Sequence, residues 1–362
     1  MHSRAEMSDA SRRRFLGNGA VLVGSSALVA EACRSSSRDD SIVAAPTTGA
    51  PAKLSGHIPR RALGSTGVQV SIIGLGGSHL GQAKDLTEAT RIVAEALDAG
   101  INFFDNAWEY NDGRSEDWLG KALKGQRDQA FLMTKVCSHG RGRDVAMKQL
   151  EDSLGRLGTD HLDLWQIHEC VYENDPELHF SDDGVVRALE DAKKQGKVRF
   201  VGFTGHKHPR IHKKMLDHGF AFDTVQMPLN AFDATFRSFE QEILPIAVSK
   251  KMGVIGMKSL GGHGRPIIEG AVTIEEALRY AMSIPGVSVT VSGVDSLEIL
   301  RQNLAIADNF KPLGDPEMKA LRERVAPLAA DGRFELYKTS THFDAKVGRE
   351  QHGYPKEEEL PL

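Results

Sequence analysis

The sequence predicts an α/β fold in which eight parallel strands close into a (β/α)8 TIM barrel. Between residues 58 and 310, eight apolar runs typical of strands each precede a segment with helical periodicity. Regular strand–helix alternation is typical of a parallel sheet, because each helix returns the chain to the start of the next strand. No Gly-x-Gly-x-x-Gly motif follows the first run, and eight even units favour a closed barrel over an open, doubly wound sheet.

The eight units follow one another in a constant order, with each strand before its helix. The predicted strands are VSIIGLGGS, INFFDNA, AFLMTKV, HLDLWQIHE, RFVGFTG, FDTVQMPLN, GVIGMKSLGG and VSVTVSGVD. The helices that follow them are TEATRIVAEALDAG, SEDWLGKALKG, AMKQLEDSLGRLG, GVVRALEDAKKQG, IHKKMLDHG, SFEQEILPIAVSKK, TIEEALRYAMS and SLEILRQNLAIADNF. Nearly continuous apolar runs indicate strands that are covered on both faces, as barrel strands are.

Two flanking segments complete the predicted folded part. The segment IPRRALGSTGVQVS places a glycine-containing turn between short extended pieces, which predicts a hairpin over the mouth opposite the active end. After residue 310 the periodicity fades, and residues 311–362 are predicted as a C-terminal extension. Its aromatic residues suit either a cover over the barrel mouth or packing against the outside of the barrel.

Residues 1–34 are predicted to be an export signal of the twin-arginine type. Ser11-Arg12-Arg13-Arg14-Phe15-Leu16 precedes a short run rich in glycine, alanine and serine, which is too short and too rich in glycine for a membrane span. This predicts transport by the twin-arginine machinery to the periplasm or cell exterior. An uncleaved anchor or a basic disordered start is the alternative. Cys33 follows only half of a lipoprotein cleavage pattern, and residues 35–57 read as a disordered linker.

The composition excludes several classes of function. Charged residues make up 26% of the 362 residues and the net charge is −4, so no basic surface for nucleic acid is indicated. Three cysteines are too few for a disulfide framework. Cys137 and Cys170 follow neighbouring strands, and a disulfide between them at the barrel rim is a secondary hypothesis.

Four chemically active side chains lie where consecutive predicted strands end. Asp105 and Tyr110 follow the second strand, Lys135 ends the third, and His168 ends the fourth. In a (β/α)8 barrel these positions share the end that carries the chemistry. A cationic lysine favours phenolate and lowers the pKa of a nearby tyrosine, an aspartate keeps the lysine charged, and a histidine can hold a carbonyl oxygen. The quartet therefore predicts proton exchange with an oxygen bound to carbon.

Simpler interpretations exist for each member of this quartet. Lys135 and Asp105 are also compatible with a structural ion pair, and His168 with a histidine of the core. A metal site that combines His168 with His139, His206 and His208 is disfavoured, because these residues follow different strands without a tight ligand spacing. The sequence therefore predicts no metal.

Four segments, taken in order, resemble the aldo/keto reductase family. They are R-x-L-G-x-T-G-x-x-V-S (61–71), F-D-N-A-x-x-Y (104–110), M-T-K (133–135) and Q-I-H (166–168), and the similarity extends over roughly residues 58–310. The resemblance implies a barrel that binds a nicotinamide cofactor, usually NADPH, without a Rossmann domain. It also implies hydride transfer to a carbonyl carbon while the tyrosine, here Tyr110, protonates the oxygen.

The resemblance also implies which residues contact the cofactor. Gln226 matches the glutamine that binds the nicotinamide carboxamide, whereas Thr204-Gly205 replaces a Ser-Asn pair, with His206 as a substitute contact. Met257 stands where the family often has an aromatic residue on the nicotinamide. The complete set implied is Gly76, Gly77, Thr204, Gln226, Met257, Lys258, Leu260, Gly293 and Asn303.

The choice between the two dinucleotides stays open in the sequence. The segment GVDSLEILRQN matches the family segment that binds the adenosine phosphate, but Ile299 and Gly293 stand where the family often has basic residues. Isoleucine cannot offer the bidentate fork with which arginine binds a 2′-phosphate, although Arg301 could compensate. NADP(H) is preferred from the family resemblance, and NAD(H) is the rival.

The sequence thus predicts an exported NAD(P)-dependent oxidoreductase that acts on aldehydes, ketones or the corresponding alcohols. Two alternatives stay open. One is a cofactor-binding sensor or partner-binding barrel with little turnover, which the changes at Thr204, Gly205 and Met257 keep possible. The other is an NAD-linked alcohol or sugar dehydrogenase, which export favours because free NADPH is not expected outside the cytoplasm.

Overall fold

The computed structural model describes residues 58–137, 141–262 and 264–344. The predicted signal and linker, Cys33 and His139 lie outside these residues, as do the last residues of the predicted C-terminal extension. Within the described ranges, no helix is both long enough and apolar enough to cross a membrane.

In the described part of the chain, ten strands form two sheets. The strands are β1 (Arg60–Ala62), β2 (Gln69–Ser71), β3 (Ile73–Gly76), β4 (Phe103–Asp105), β5 (Phe131–Val136), β6 (Leu162–Ile167), β7 (Val198–Thr204), β8 (Thr224–Pro228), β9 (Gly253–Met257) and β10 (Val287–Gly293). Strands β3 to β10 are all parallel to their neighbours and form a closed barrel in which β10 pairs with β3. The predicted (β/α)8 barrel is confirmed.

Helices cover the outside of the barrel and occupy some of its loops. They are α1 (Gly77–Leu80), α2 (Leu86–Asp98), α3 (Arg114–Ala122), α4 (Arg143–Leu157), α5 (Asp175–His179), α6 (Val185–Lys194), α7 (Pro209–Asp217), α8 (Phe239–Glu242), α9 (Leu244–Ser249), α10 (Arg265–Ile268), α11 (Ile274–Ser283), α12 (Leu297–Asp308), α13 (Asp315–Ala329) and α14 (Leu336–Thr339). Short 3-10 turns cover Tyr110–Gly113, Arg127–Gln129 and Thr341–Phe343.

The predicted N-terminal hairpin closes the amino-terminal end of the barrel. β1 and β2 pair antiparallel, and the fully buried side chains of Leu63 and Val70 belong to a core cluster of the hairpin and the barrel strands. The barrel members of that cluster are Phe103, Phe131, Met133, Leu164, Ile255 and Val289. The barrel interior is therefore filled at this end, which leaves the carboxyl ends of the strands for chemistry.

Two helical regions differ from the prediction. The sixth helix is divided into α8 and α9, because Pro245 follows Leu244 directly and has no backbone N–H for a helical hydrogen bond. Residues 315–329 form the helix α13, although the sequence indicated loss of periodicity there. Asp315 and Pro316 start α13, and the backbone N–H of Gly314 donates to the Glu317 carboxylate at 2.7 Å, so local capping chemistry specifies this helix.

α13 also packs against the barrel. Met318, Leu321 and Val325 are buried in the main hydrophobic core, and Arg322 pairs with Glu240 of α8 at 3.2 Å. The predicted boundary between barrel and extension at residue 310 stays a prediction. Residues on both sides of it contribute to the same hydrophobic core.

Candidate active site

The four predicted site residues meet at the carboxyl end of the barrel. Asp105 ends β4, Lys135 is the fifth residue of β5, His168 directly follows β6, and Tyr110 opens the turn after β4. Asp105 of β4 is paired with Met133 of β5, and Lys135 follows Met133 by two residues on the same strand. Because side chains alternate along a strand, Met133 and Lys135 point to the same face, which brings the Lys135 amine towards Asp105.

The Lys135 ammonium is buried at the centre of the quartet, with 1% of its side chain exposed. It forms an ion pair with the Asp105 carboxylate and donates to the backbone oxygen of Asn106 at 2.7 Å. It also lies 3.3 Å from the Tyr110 hydroxyl and 4.8 Å from the centre of the Tyr110 ring. A buried ammonium is costly unless it is paired, and here three oxygen atoms surround it.

The turn that carries Tyr110 is specified locally. Asn111 and Asp112 have φ values of 53° and 56°, in the left-handed region that asparagine and aspartate tolerate better than most residues. The Asn111 side chain donates to the backbone oxygen of Ser78 at 2.8 Å, which ties the turn to α1 directly after β3. The backbone conformation of this turn and its contact with Ser78 therefore fix the position of Tyr110.

The pKa of the Tyr110 hydroxyl is raised well above its ordinary value of 10. Burial is the largest cause, and the negative charges of Asp105, Glu109 and Glu169 add to it. The lowering expected from Lys135 alone does not set the direction here, because burial and the nearby carboxylates disfavour the phenolate. The hydroxyl therefore keeps its proton near neutral pH.

His168 stands beside the Tyr110 ring between two carboxylates. The two ring centres are 5.6 Å apart and nearly perpendicular. The Nδ1 atom of His168 lies 2.6 Å from Oε1 of Glu109, and its Nε2 atom lies 3.9 Å from Oε2 of Glu169. Sequence reasoning missed both glutamates, although each is a direct chain neighbour of a predicted site residue. A charged residue beside a catalytic candidate at the end of an apolar strand is the signal that could have found them.

Gln226 links the quartet to the cofactor residues implied by the resemblance. Its Nε2 atom donates to Oδ2 of Asp105 at 2.6 Å, so Asp105 is held from β5 and from β8. The Oε1 atom of Gln226 and the Nδ2 atom of Asn106 are buried and have no hydrogen-bond partner among the described residues. One unsatisfied acceptor and one unsatisfied donor beside Asp105 fit a carboxamide, which has both an N–H donor and a C=O acceptor.

Apart from Asn303, which lies on α12, the other implied cofactor residues lie at strand ends or within three residues after them. The hydroxyl of Thr204 is 3.9 Å from the sulfur of Met257, so these two side chains are neighbours on β7 and β9. Side chains at two glycines would collide with neighbours: at Gly77 with the backbone of Asp105, and at Gly293 with the ring of His79. The remaining members of the set are Gly76 at the end of β3, Lys258 and Leu260 after β9, and Asn303 on α12.

Two details revise the sequence interpretation of the cofactor site. Both ring nitrogens of His206 are engaged, with Glu169 and with the backbone oxygen of Tyr337, each at 2.9 Å, so His206 is not directed at a carboxamide. Arg301 forms a two-fold ion pair with Glu95 of α2, at 2.7 and 2.8 Å. The Arg301 guanidinium is therefore paired with a carboxylate rather than directed at a phosphate site. The Asn303 amide donates to the Ser292 hydroxyl at 3.1 Å.

The cysteine and metal hypotheses can be compared with the described residues. Cys137 and Cys170 are both buried and are not joined by a disulfide, and the Cys137 thiol contacts the Glu109 carboxylate. Burial raises the pKa of the Cys170 thiol well above its ordinary value. In the described ranges no group of three or more histidine, cysteine, aspartate or glutamate side chains has an arrangement that could hold a metal ion.

The first part of the C-terminal extension reaches the loops at the carboxyl end of the barrel. The fully buried Lys338 ammonium lies 2.6 Å from Asp233, which follows β8, and 2.9 Å from Glu335. The Tyr337 hydroxyl donates to Glu335 at 2.6 Å, and the Tyr337 and His206 rings are nearly perpendicular with centres 5.9 Å apart. Lys258 lies 5.1 Å from the centre of the Tyr337 ring. These contacts fix the segment beside the candidate site.

The fold is a (β/α)8 barrel, and the quartet of Asp105, Tyr110, Lys135 and His168 meets at its carboxyl end. The family profile described as Aldo/keto reductase family matches residues 72–265. Similar proteins are L-galactose dehydrogenase of Arabidopsis thaliana (29% identity, 71% of this chain, 90% of that protein) and 6-dehydroglucose reductase of Novosphingobium aromaticivorans (31%, 64% and 79%). The structure of aldo-keto reductase AKR11C1 from Bacillus halodurans (holo form) superposes with a TM-score of 0.63 at 26% identity, over 74% of this chain and 96% of that chain.

This chain therefore belongs to the aldo/keto reductase family. It is an oxidoreductase that depends on a nicotinamide cofactor.

The buried charges of the C-terminal segment predict a pH-dependent stability. Burial raises the pKa of Glu335 to about 7 from an ordinary 4.5, so the folded protein keeps a proton there that the unfolded chain has lost. Stability from this group is present below pH 4.5 and is lost as the pH rises through 7. Replacing Glu335 by glutamine should therefore stabilise the protein increasingly between pH 5 and 8, by about 1–3 kcal/mol in total relative to the original protein.

Urea unfolding of both proteins at several pH values measures this difference. Glu323→Gln on the exposed face of α13 is the matched control, and it should follow the pH profile of the original protein. Parallel profiles for Glu335→Gln and the original protein would contradict the prediction.

Proposed function

We propose that this enzyme transfers hydride between a nicotinamide cofactor and an aldehyde or ketone, or the corresponding alcohol, with Tyr110 as general acid and base. The observation that supports this role is the 3.3 Å contact between the Tyr110 hydroxyl and the buried, Asp105-paired ammonium of Lys135. A hydroxyl that keeps its proton beside a fixed cation is suited to donate to an oxygen that becomes negative. In the oxidative direction the same oxygen accepts the proton from the alcohol.

Each neighbour of Tyr110 has a separate task in this proposal. Lys135 stabilises the phenolate that remains after proton donation, and Asp105 keeps Lys135 charged and correctly directed. His168 lies at the edge of the Tyr110 ring and holds the substrate oxygen near the hydroxyl. Together these groups position the oxygen and move its proton, while the nicotinamide, when bound, supplies or accepts the hydride.

The cofactor is proposed to lie across the ends of the strands that carry the implied residues. Asn106 and Gln226 supply the unsatisfied donor and acceptor for the carboxamide, with Thr204 and Met257 on the neighbouring strands. Lys258 follows β9 and is the candidate for the pyrophosphate, a compact cation of the kind that binds phosphate. Gly76 and Gly77 allow the backbone to approach the cofactor closely.

NADP(H) is proposed as the preferred cofactor and NAD(H) as its rival. Family membership supports NADP(H). The pairing of Arg301 with Glu95 and the presence of Ile299 support NAD(H), because neither side chain is presented to a 2′-phosphate. Fluorescence titration of the purified protein with NADPH and with NADH decides the preference. Tighter binding of NADH would contradict the proposal.

A second candidate is an alcohol or sugar dehydrogenase that works in the oxidative direction with NAD. Two similar proteins, L-galactose dehydrogenase and 6-dehydroglucose reductase, are named after sugars, which supports a sugar as the substrate class of this second candidate. A barrel that binds the cofactor but turns over little is the third candidate, and it is favoured by the Thr204-Gly205 pair and by Met257. A panel of aldehydes and sugars with both cofactors separates the three.

Export to the periplasm by the twin-arginine route is proposed from the motif at residues 11–16. This route carries folded proteins, so it suits an enzyme that leaves the cytoplasm with its cofactor bound. We expect the double substitution Arg12→Lys and Arg13→Lys to retain the protein in the cytoplasm. Cell fractionation with a cytoplasmic marker measures this, and unchanged periplasmic recovery would contradict it.

Tyr110→Phe tests the catalytic proposal. Removing the hydroxyl removes the proton donor of the transition state but little ground-state contact, so kcat should fall by about 10²–10⁴-fold. The dissociation constant of the cofactor should change by less than about twofold. Steady-state kinetics with an aldehyde and a cofactor titration measure both quantities.

Tyr280→Phe is the matched control for the loss of a tyrosine hydroxyl. Its hydroxyl donates to Glu240 on the outer helices, away from the quartet, so turnover should be retained. Full carbonyl reduction by Tyr110→Phe would refute the assigned role of Tyr110.

A further inference from the structure

Arg156, in the last turn of α4, contacts the chain on both sides of Tyr110. Its Nη1 atom donates to the backbone oxygen of Trp108 at 2.7 Å, two residues before the tyrosine. Gly113 ends the turn that Tyr110 opens. It has a φ of 85°, and a Cβ atom there would lie 2.5 Å from Cζ of Arg156. The guanidinium therefore packs against the backbone before and after the proposed acid.

The guanidinium of Arg156 is itself held by a carboxylate of α3. Its Nη1 atom lies 3.1 Å from Oε2 of Glu116, a fully buried side chain. Oε1 of Glu116 accepts from the hydroxyl of Thr134 at 2.6 Å. Thr134 directly precedes Lys135 on β5. Because a buried carboxylate requires partners of this kind, Glu116 joins the guanidinium to the strand that carries the ammonium.

The position of Arg156 is fixed at its backbone as well. α3 and α4 approach closely at Gly120, where a Cβ atom would lie 2.7 Å from the backbone oxygen of Arg156 and 2.6 Å from that of Leu157. Glycine allows this approach because it has no side chain. The Arg156 side chain therefore starts from a point that is set by α3, the helix that also carries Glu116.

These contacts form a closed ring that begins and ends on β5. The backbone N–H of Trp108 donates to the backbone oxygen of Lys135 at 3.1 Å, and the Trp108 oxygen accepts from Arg156. Arg156 pairs with Glu116, which accepts from Thr134, one residue before the starting point. The ring thus fixes the turn that carries the proposed acid relative to the strand that carries the ammonium.

Resting on the proposed function, we infer that Arg156 is a positioning residue that keeps the Tyr110 hydroxyl beside the Lys135 ammonium. It acts through Tyr110 rather than on the substrate. Arginine suits this task because its planar group can donate to a carbonyl and a carboxylate while it lies over an aromatic ring. Here Cζ of Arg156 is 5.3 Å from the centre of a Trp108 ring.

Arg156→Met removes the guanidinium and keeps an unbranched side chain. Because a misplacement of about 1 Å at a reacting group can lower a rate by about 10²-fold, kcat should fall at least about tenfold. KM for 4-nitrobenzaldehyde and Kd for the nicotinamide cofactor should stay within about twofold, since no contact with either molecule is removed. Steady-state kinetics and a fluorescence titration with the cofactor measure these quantities.

Arg143→Met is the matched control for the loss of an arginine from α4. Arg143 starts the same helix, and it pairs with Asp144 and Asp191 in partly exposed ion pairs. None of these contacts involves the turn that carries Tyr110. Its kcat should therefore stay within about twofold of that of the original protein.

The same substitution in Tyr110→Phe separates positioning from a general loss of structure. In that background Arg156→Met should change kcat by less than about threefold, because no hydroxyl is left to position. A merely structural defect would lower kcat by the same factor in both backgrounds, since it would reduce the amount of folded enzyme whether or not the hydroxyl is present.

The outcomes distinguish this inference from the proposed function. An unchanged kcat in Arg156→Met, or an equal loss in both backgrounds, overturns the inference and leaves the proposed function intact. Full aldehyde reduction by Tyr110→Phe, or none by the original protein, overturns the proposed function and the inference with it.

Arg156→Lys provides the same comparison if circular dichroism shows that Arg156→Met is unfolded. Lysine keeps a cation for Glu116 but lacks the planar group that lies over Trp108. A fall in kcat of at least about threefold is expected with Tyr110 present, and an unchanged kcat overturns the inference as well.

Discussion

The buried ion pair between Lys135 and Asp105 is the interaction on which the rest of the site depends. Each charge alone would be expensive in the interior of the barrel, and each is tolerated because the other is present. Asp105 is also held by Gln226 of β8, and Lys135 by the backbone of Asn106. Residues of three strands of the barrel therefore fix this ion pair, and the Tyr110 hydroxyl lies 3.3 Å from its ammonium.

Closure of the barrel is what makes this convergence possible. β4 and β5 are neighbours in parallel register, so their carboxyl ends share one rim, and the hairpin of β1 and β2 fills the opposite end. The burial that raises the pKa of Tyr110 comes from the same packing. The fold thus keeps the hydroxyl protonated and places a cation beneath it, two conditions that a proton donor to a developing oxyanion requires.

The sequence predicted the elements whose signals are local. Strand periodicity located Asp105, Lys135 and His168 at strand ends, and the eight strand–helix units specified the barrel. Burial and side-chain direction are not local, so the pKa of Tyr110 and the pairing of Arg301 with Glu95 could not be read from periodicity. α13 was missed because Pro327 interrupts its pattern and its ends are set by capping rather than by an apolar stripe.

The surroundings of His168 show the same division. Glu109 and Glu169 adjoin predicted residues in the chain, but only the structure shows that both carboxylates face the same imidazole. The C-terminal segment provides a second case, since Lys338 and Glu335 are charged residues in an irregular stretch that become fully buried beside Asp233. Charges that a sequence suggests are solvated can therefore border the active end of this barrel.

A double-mutant cycle on Tyr110 and Lys135 tests the central claim most directly. Values of kcat/KM for Tyr110→Phe, Lys135→Met and the double variant show whether the lysine acts through the tyrosine. If it does, the double variant should be within about threefold of Tyr110→Phe alone, because the lysine has no hydroxyl left to assist. Losses that multiply in the double variant would contradict the account.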